Sequence, residues 1–344
     1  MEKGELEKLY QEAYKRLKEA KNVLVVGHIS PDTDALSSVA VILELAVSLG
    51  IKARGFASQK ALDVYRYIPH EDKILSEEPS NLLAFDLIVI LDCGAMSRTG
   101  LERRLRPIIE AAKQGVISKR PFLIEFDHHE HLESYCDIEI RLPEKASTTE
   151  VLHGFLKANG LEANKVMASC ILYGLASDTG NFLHDNSSSE VLSISSEMLL
   201  RGASFQGVVN NLVANKSFLS LKVWGLALES IYYQPESGLI VAALTRKSLA
   251  GIVPTPDDFP EISDISGDIV SFLASLDGVR AAMILREDHH GVKGSLRTND
   301  PEIDVAKIAN LWRGGGHKKA AGFFVPGYLE RKDDGHWVVI KKKA

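Results

Sequence analysis

The apolar run RPFLIEF ends on Asp127-His128-His129, and the same triplet returns as Asp288-His289-His290. A carboxylate beside two imidazoles can bind a divalent cation, orient a proton donor, or simply face water. Each copy is judged by what else could join it. Three more segments bring acids or an imidazole to the first copy. VLVVG is followed by His28, Asp32 and Asp34, LIVIL by Asp92, and LASDTGNF carries Asp178. Taken singly, an aspartate after a strand is usually a cap or turn former. Taken together, four segments each deliver an acid or an imidazole, three of them at strand ends. The second copy lies between VRAAMILRE and VKGSLRT and is closed by Gly291. That is a hairpin signature, and it reads as an exposed turn.

Several carboxylates gathered with imidazoles are costly unless cations neutralise them. Mixed oxygen and nitrogen donors suit borderline-hard divalent ions, manganese above all. Two such ions held about 3.5–4 Å apart activate a water and clamp a phosphoryl oxygen, and a shared carboxylate is the natural way to set that distance. Cys93, Cys136 and Cys170 show no metal-ligand spacing and cannot all pair. They read as reduced thiols and argue against a structural zinc site.

The elements that must position these residues follow from the apolar pattern. Buried-type strands at NVLVV, IKARGFA, DLIVIL and RPFLIEF alternate with helices. This predicts a doubly wound, mostly parallel sheet whose ligands gather beyond the carboxyl ends of its strands. From about residue 187 consecutive helices take over, and strands return at GLIVAALT, VRAAMILRE and VKGSLRT. The chain of 344 residues is long for one core. The expected organisation is a catalytic domain over 1–203, a helical linker over 204–216, and a smaller α/β domain over 217–344, with the active site in the cleft between the domains.

The net charge of −6 argues against long double-stranded nucleic acid as the partner but suits a small phosphorylated substrate. No apolar run approaches a membrane span, and the charged first helix lacks a signal core, so the cytoplasm is the expected location. Composition leaves monomer and homodimer both open.

GHISPDTDA, LDCG, FDHHE and SDTGNF, in that order, resemble the four motifs of the DHH phosphoesterases. RGGGHKKAAGF resembles the GGGH-type DHH-associated domain of the same family. The resemblance spans nearly the whole chain. It implies one ion held by His28, Asp32 and Asp92 and another by Asp34, Asp92, His128 and Asp178, with Asp92 as the bridge. It places His129 beside the ions, facing the scissile phosphate as a hydrogen-bond donor or proton relay, with Asp127 orienting the histidines from behind. Gly314, Gly315, Gly316 and His317 would hold the substrate's phosphate, sugar or terminal base, because glycines let backbone amides approach an anion. Arg297, Ser295 and Thr298 would assist from a neighbouring strand, and Arg98 from beyond Asp92.

Within the family the chain is similar to the nanoRNase and pAp-phosphatase branch. That implies hydrolysis of short oligonucleotides, linear dinucleotides such as pApA or pGpG, or 3′-phosphoadenosine-5′-phosphate. RecJ exonucleases share the motifs but carry further nucleic-acid-binding domains. Three rivals stand beside this reading: an exonuclease of the RecJ type on longer strands, a non-catalytic nucleotide sensor, and a phosphatase for some other small metabolite.

Overall fold

Six parallel strands form the first sheet: β1 (Asn22–Val26), β2 (Lys52–Phe56), β3 (Ile74–Leu75), β4 (Leu87–Leu91), β5 (Phe122–Asp127) and β6 (Ile138–Arg141). They lie in the order β3-β2-β1-β4-β5-β6. Both faces are covered, which is why these strands are apolar without alternation. Val23, Val25, Leu87, Val89 and Phe126 pack on one side with the helices α1 (Lys3–Glu19), α2 (Thr33–Ser48), α4 (Thr148–Ala158) and α5 (Lys165–Asp178). Leu24, Val26, Ile88, Ile90 and Leu123 pack on the other with α3 (Glu102–Lys113). The chain moves outward through β1, β2 and β3, then returns to the opposite side of β1 with β4. The carboxyl ends of β1 and β4 therefore flank the switch point of the sheet, the place where open α/β sheets bind ligands.

The structure, a computed structural model, describes residues 3–59, 65–131, 133–214, 217–252 and 261–341. It divides into two compact units, Met1–Asn215 and Lys216–Ala344. The segment expected as a linker is helical: after α6 (Ser189–Leu200) come α7 (Phe205–Val208) and a π-helical turn at Val209–Ala214. Residues 215 and 216 of that expected linker lie outside the described residues. Among the described residues no helix is long and apolar enough to cross a membrane.

The second unit holds α8 (Phe218–Glu229), β7 (Tyr232–Gln234), β8 (Leu239–Leu244), α9 (Arg246–Ala250), α10 (Glu261–Ala274), β9 (Ala281–Glu287), β10 (Val292–Arg297), α11 (Val305–Asn310), β11 (Gly315–His317) and β12 (Ala320–Val325). A hairpin of β13 (Tyr328–Arg331) and β14 (Trp337–Ile340) completes it. Its sheet runs β11-β12-β10-β9-β8-β7 and is mixed, with β8 and β9 parallel and the other pairs antiparallel. Val292 and Leu296 of β10 enter the core, so Lys293, Ser295 and Arg297 share the opposite face.

Asp288-His289-His290-Gly291 connects β9 to β10. The Asp288 carboxylate accepts from the His290 and Gly291 amides at 2.8 and 2.9 Å, closing the turn on itself.

GGGH does not form a loop. Gly315–His317 is an edge strand, paired so that Gly315 faces Gly322 and His317 faces Ala320. Two of its glycines answer to packing. A Cβ on Gly314 would stand 2.2 Å from the Gly322 carbonyl oxygen, and one on Gly316, at φ +144°, would stand 2.4 Å from that of Ala320. Gly315 has open space where its Cβ would be.

Candidate metal centre

Each acid and imidazole of the candidate centre lies at or near the end of an element. His28 lies two residues beyond β1. Asp32 caps α2, its carboxylate accepting from the Ala35 amide at 3.0 Å. Asp34 follows in the first turn of that helix and is fully buried. Asp92 ends β4 in the left-handed region at φ +60°. Such a conformation costs on the order of 1–3 kcal/mol in most residues, and aspartate is among those that tolerate it best. Asp178 is the last residue of α5. Asp127 closes β5, with His128 and His129 directly after it.

These residues meet on one rim. His28 Nε2 faces Asp32 Oδ2 at 3.6 Å and Asp92 Oδ2 at 3.7 Å. His128 Nε2 faces Asp92 Oδ1 at 3.5 Å and Asp178 Oδ2 at 3.4 Å. The two oxygens of Asp92 thus look toward different histidines. Ligand atoms also converge in the sets His28, Asp32, Asp92 and Asp34, His128, Asp178.

A third set, Asp92, His128 and His129, also converges. In it, however, His129 Nδ1 lies 2.7 Å from Asp127 Oδ1 and 3.5 Å from Asp92. A nitrogen already hydrogen-bonded to one carboxylate is a poor ligand, so His129 is better read as a neighbour of the rim. Asp127 also accepts from the amides of His129 and Gly94, at 2.8 and 2.6 Å. These bonds hold its carboxyl well below the usual range against the opposing effect of burial. The sequence expectation has Asp127 orienting both histidines, but of the two it bonds His129. His128 instead hydrogen-bonds the backbone of Lys145.

The donor chemistry fits divalent cations. Edges of a tetrahedral or octahedral shell with bonds of roughly 2.1 Å measure about 3.0–3.4 Å. The observed 3.4–3.7 Å separations are a little wider and too long for hydrogen bonds. His28 Nε2 is buried and, among the described residues, has no hydrogen-bond partner. Burial, then the neighbouring carboxylates, push Asp92 and Asp178 well above the ordinary aspartate range. Burial raises Asp34 in the same way. Cations reverse that cost, since they favour the charged form of each ligand. Burial meanwhile keeps the His128 imidazole below its usual value, hence neutral and able to ligate.

Supporting residues escaped the sequence reading. The Thr148 and Thr149 amides at the start of α4 donate to Asp34 at 2.7 and 3.2 Å, and the Thr149 hydroxyl donates at 2.8 Å. The Thr148 hydroxyl donates to Asp92 Oδ1 at 2.9 Å. Beneath the rim, buried Arg141 forks onto Glu125 at 2.6 and 2.8 Å and donates to the Gly94 carbonyl at 2.7 Å. The Tyr135 hydroxyl also donates to Glu125. The available signals were a capping pattern, Ser147-Thr148-Thr149-Glu150, and a lone acid inside the apolar run of β5.

Arg98 and His129 flank Gly94, each with an atom 3.5 Å from where a Cβ there would stand. In the second unit, sheet register aligns Arg297, Ala320 and His317 in one row and Ser295, Gly322 and Gly315 in the next. Burial holds the Arg297 guanidinium below its usual value, and among the described residues no carboxylate pairs with it. Thr298 does not fit the substrate role expected for it. It is buried, its hydroxyl donates to the Arg280 carbonyl at 2.6 Å and accepts from the Asp300 amide at 3.0 Å, and it forms the turn after β10.

Residues 22–175 match the DHH family, N-terminal domain, and residues 257–335 match the DHHA1 domain. The chain is 25% identical over 305 residues to a bifunctional oligoribonuclease and PAP phosphatase NrnA of Thermus thermophilus, covering 89% of this chain and 84% of that one. It is 21% identical over 303 residues to the Bacillus subtilis protein of the same name, covering 87% and 88%. Among solved structures, an exopolyphosphatase-related protein from Bacteroides fragilis matches with a TM-score of 0.79 at 24% identity, covering 92% and 90%. That last likeness is one of fold.

Proposed function

Because the chain belongs to the DHH family of phosphoesterases and carries a DHHA1 domain, we propose that it hydrolyses phosphate esters of short nucleotides with the help of two divalent cations, manganese by donor chemistry. The substrate class is short oligonucleotides, linear dinucleotides such as pApA or pGpG, and 3′-phosphoadenosine-5′-phosphate. The relatives named as oligoribonuclease and PAP phosphatase support this choice. His28, Asp32 and Asp92 would hold one ion, and Asp34, Asp92, His128 and Asp178 the other. Asp92 suits the bridge because each of its oxygens faces a different histidine. One observation carries the reading: a buried imidazole nitrogen, His28 Nε2, faces two carboxylates and bonds to neither.

Divalent ions bound here supply a water of lowered pKa and positive charge opposite the phosphoryl oxygens. The remaining work falls to the chain. Asp127 takes the Nδ1 side of His129, which fixes the ring and leaves proton transfer or donation to the phosphate to Nε2. Arg98, beside Gly94, would meet a non-bridging phosphate oxygen. In the second unit, Arg297 would take a phosphate oxygen of the nucleotide and His317 its sugar or terminal base. Ser295 and the glycine row of Gly315 would form the floor. Gly314 and Gly316 serve this site by bringing β11 close to β12.

The test is a manganese-supplemented assay over pAp, pApA, pGpG and oligomers of increasing length, with wild type and Asp92→Ala. The expected result is preference for the shortest substrates and no turnover by a folded Asp92→Ala. A folded variant with undiminished turnover refutes the site. Preference for a twenty-nucleotide strand over a dinucleotide would replace the substrate reading with the exonuclease one. Nucleotide binding without turnover would leave a sensor.

A further inference from the structure

We propose that Thr148 is a positioning residue that ties the two ion positions to each other, an inference that rests on the two-ion reading above. Thr148 is fully buried at the start of α4, an 11-residue helix. Its backbone amide donates to Asp34 Oδ2 at 2.7 Å, and its hydroxyl donates to Asp92 Oδ1 at 2.9 Å. Asp34 converges with His128 and Asp178, and Asp92 converges with His28 and Asp32 as well as with His128 and His129. One residue therefore donates to a carboxylate of each set.

The two bonds act differently. Asp34 is gripped by the first amides of a helix, where donors lack intrahelical partners and the dipole favours negative charge. Thr149 adds its own hydroxyl at 2.8 Å. The far side is closed by Gly174 of α5, where a Cβ would stand 2.3 Å from both Asp34 Oδ1 and Thr149 Oγ1. Asp34 cannot swing away. Asp92 is different: its carboxylate could rotate about Cβ–Cγ, and the Thr148 hydroxyl is the bond that fixes this rotation. With Oδ1 held, Oδ1 faces His128 at 3.5 Å and Oδ2 faces His28 at 3.7 Å. A bridging carboxylate needs that orientation, one oxygen for each ion. Thr149 touches Asp34 and not Asp92, so it serves as the internal control.

The experiment is calorimetric titration of manganese into the demetallated full-length protein, with folding of each variant checked by circular dichroism. Thr148→Val is nearly isosteric and keeps the amide. It should weaken both binding steps by about 10–100-fold, the usual effect of removing an outer partner of a metal ligand. Thr149→Val should weaken one step, and Thr148→Ser should restore wild-type binding. Turnover of Thr148→Val should recover at high manganese while KM for the nucleotide stays unchanged. Thr148→Ala repeats the test with a smaller side chain, should valine disturb the fold. A folded Thr148→Val or Thr148→Ala with the wild-type isotherm, or with only one step weakened, overturns the role given to Thr148. A wild-type protein that takes up no manganese overturns the two-ion reading itself, and this inference with it.

Discussion

Arg141→Met should separate the stability of the first unit from the positioning of its candidate rim. The Arg141 side chain is 4% exposed and Glu125 fully buried, and they pair through two short bonds. Removing the guanidinium leaves a buried carboxylate whose remaining side-chain donor in the network is the Tyr135 hydroxyl. Breaking a buried pair from one side costs about 3–5 kcal/mol. The Gly94 carbonyl also loses its donor, which adds about 1 kcal/mol. Against a typical domain stability of about 5–15 kcal/mol, the variant should fold but unfold at much lower urea. The double variant Glu125→Leu/Arg141→Met removes both charges and should regain most of the loss. It should stay about 1–3 kcal/mol short of wild type, because Tyr135 loses its acceptor.

Turnover should behave otherwise. Arg141 holds the Gly94 loop, and Gly94 in turn donates to Asp127, which fixes His129. The double variant leaves that chain of contacts broken, and a displacement of about 1 Å at a catalytic group costs about a hundredfold. Urea unfolding by far-UV circular dichroism is the assay, with turnover measured in parallel. Trp224, Trp312 and Trp337, the three tryptophans of the chain, all fall in the second unit and would not report the change. A loss under about 1 kcal/mol in Arg141→Met would contradict the buried pair. Wild-type turnover in the double variant would contradict the positioning argument.

Other expectations are simpler to check. Gly316→Ala should lower stability by about 1–3 kcal/mol in thermal melts, because φ is +144° and the added Cβ would meet the Ala320 carbonyl. Gly315→Ala should leave the melt unchanged and raise KM, because its Cβ meets nothing within 4 Å among the described residues and a ligand lying there would feel it. Replacing His289 and His290 together by alanine should change neither bound manganese, measured by elemental analysis, nor turnover, since the triplet there closes a hairpin. Burial depresses the His153 imidazole although Glu197 stands 3.1 Å away. The unfolded chain then binds more protons on acidification, so stability is full above about pH 6.5 and falls below it. His153→Gln in EDTA should lose less stability than wild type between neutral pH and pH 5, and an equal loss would refute the assignment.

Much of the first unit was legible because a parallel sheet writes itself plainly. Runs such as LIVIL are buried on both faces, so the first polar residue beyond each run marks a carboxyl end. His28, Asp92 and Asp127 were found that way, and Asp178 by its place after a helical run. Thr148 and Thr149 were hidden by a true but incomplete signal. Ser147-Thr148-Thr149-Glu150 does cap a helix, with the Ser147 hydroxyl accepting from the Glu150 amide at 3.1 Å. Nothing local says that the same amides also hold Asp34, far away in sequence. The strand at GGGH was not legible, because dense glycine normally marks a turn. Here two of the glycines permit close contact with the neighbouring strand, a fact about β12 rather than about the motif. Thr298 looked free in KGSLRT because its carbonyl and amide partners are set by tertiary structure.

Local rules are broken in the first unit where its acids converge. Asp92 adopts a left-handed backbone at the end of a buried strand, and β5 places Glu125 inside an apolar layer. Neither choice helps a sheet on its own account. Asp92 takes its left-handed backbone directly after β4, with its carboxylate between His28 and His128. Glu125 and Arg141 then hold the turn from below through Gly94, while Thr148 holds the carboxylate from the side. Strain and buried charge persist only where surrounding contacts over-determine them. In this chain those contacts come from three separate elements: Asp127 of β5 and Arg141 of β6 hold Gly94, two residues beyond Asp92, and Thr148 of α4 holds the Asp92 carboxylate itself. A lone unusual residue would suggest a packing accident. An unusual residue supported from three directions, with mutually repelling acids around it, is what the proposed two-ion site requires.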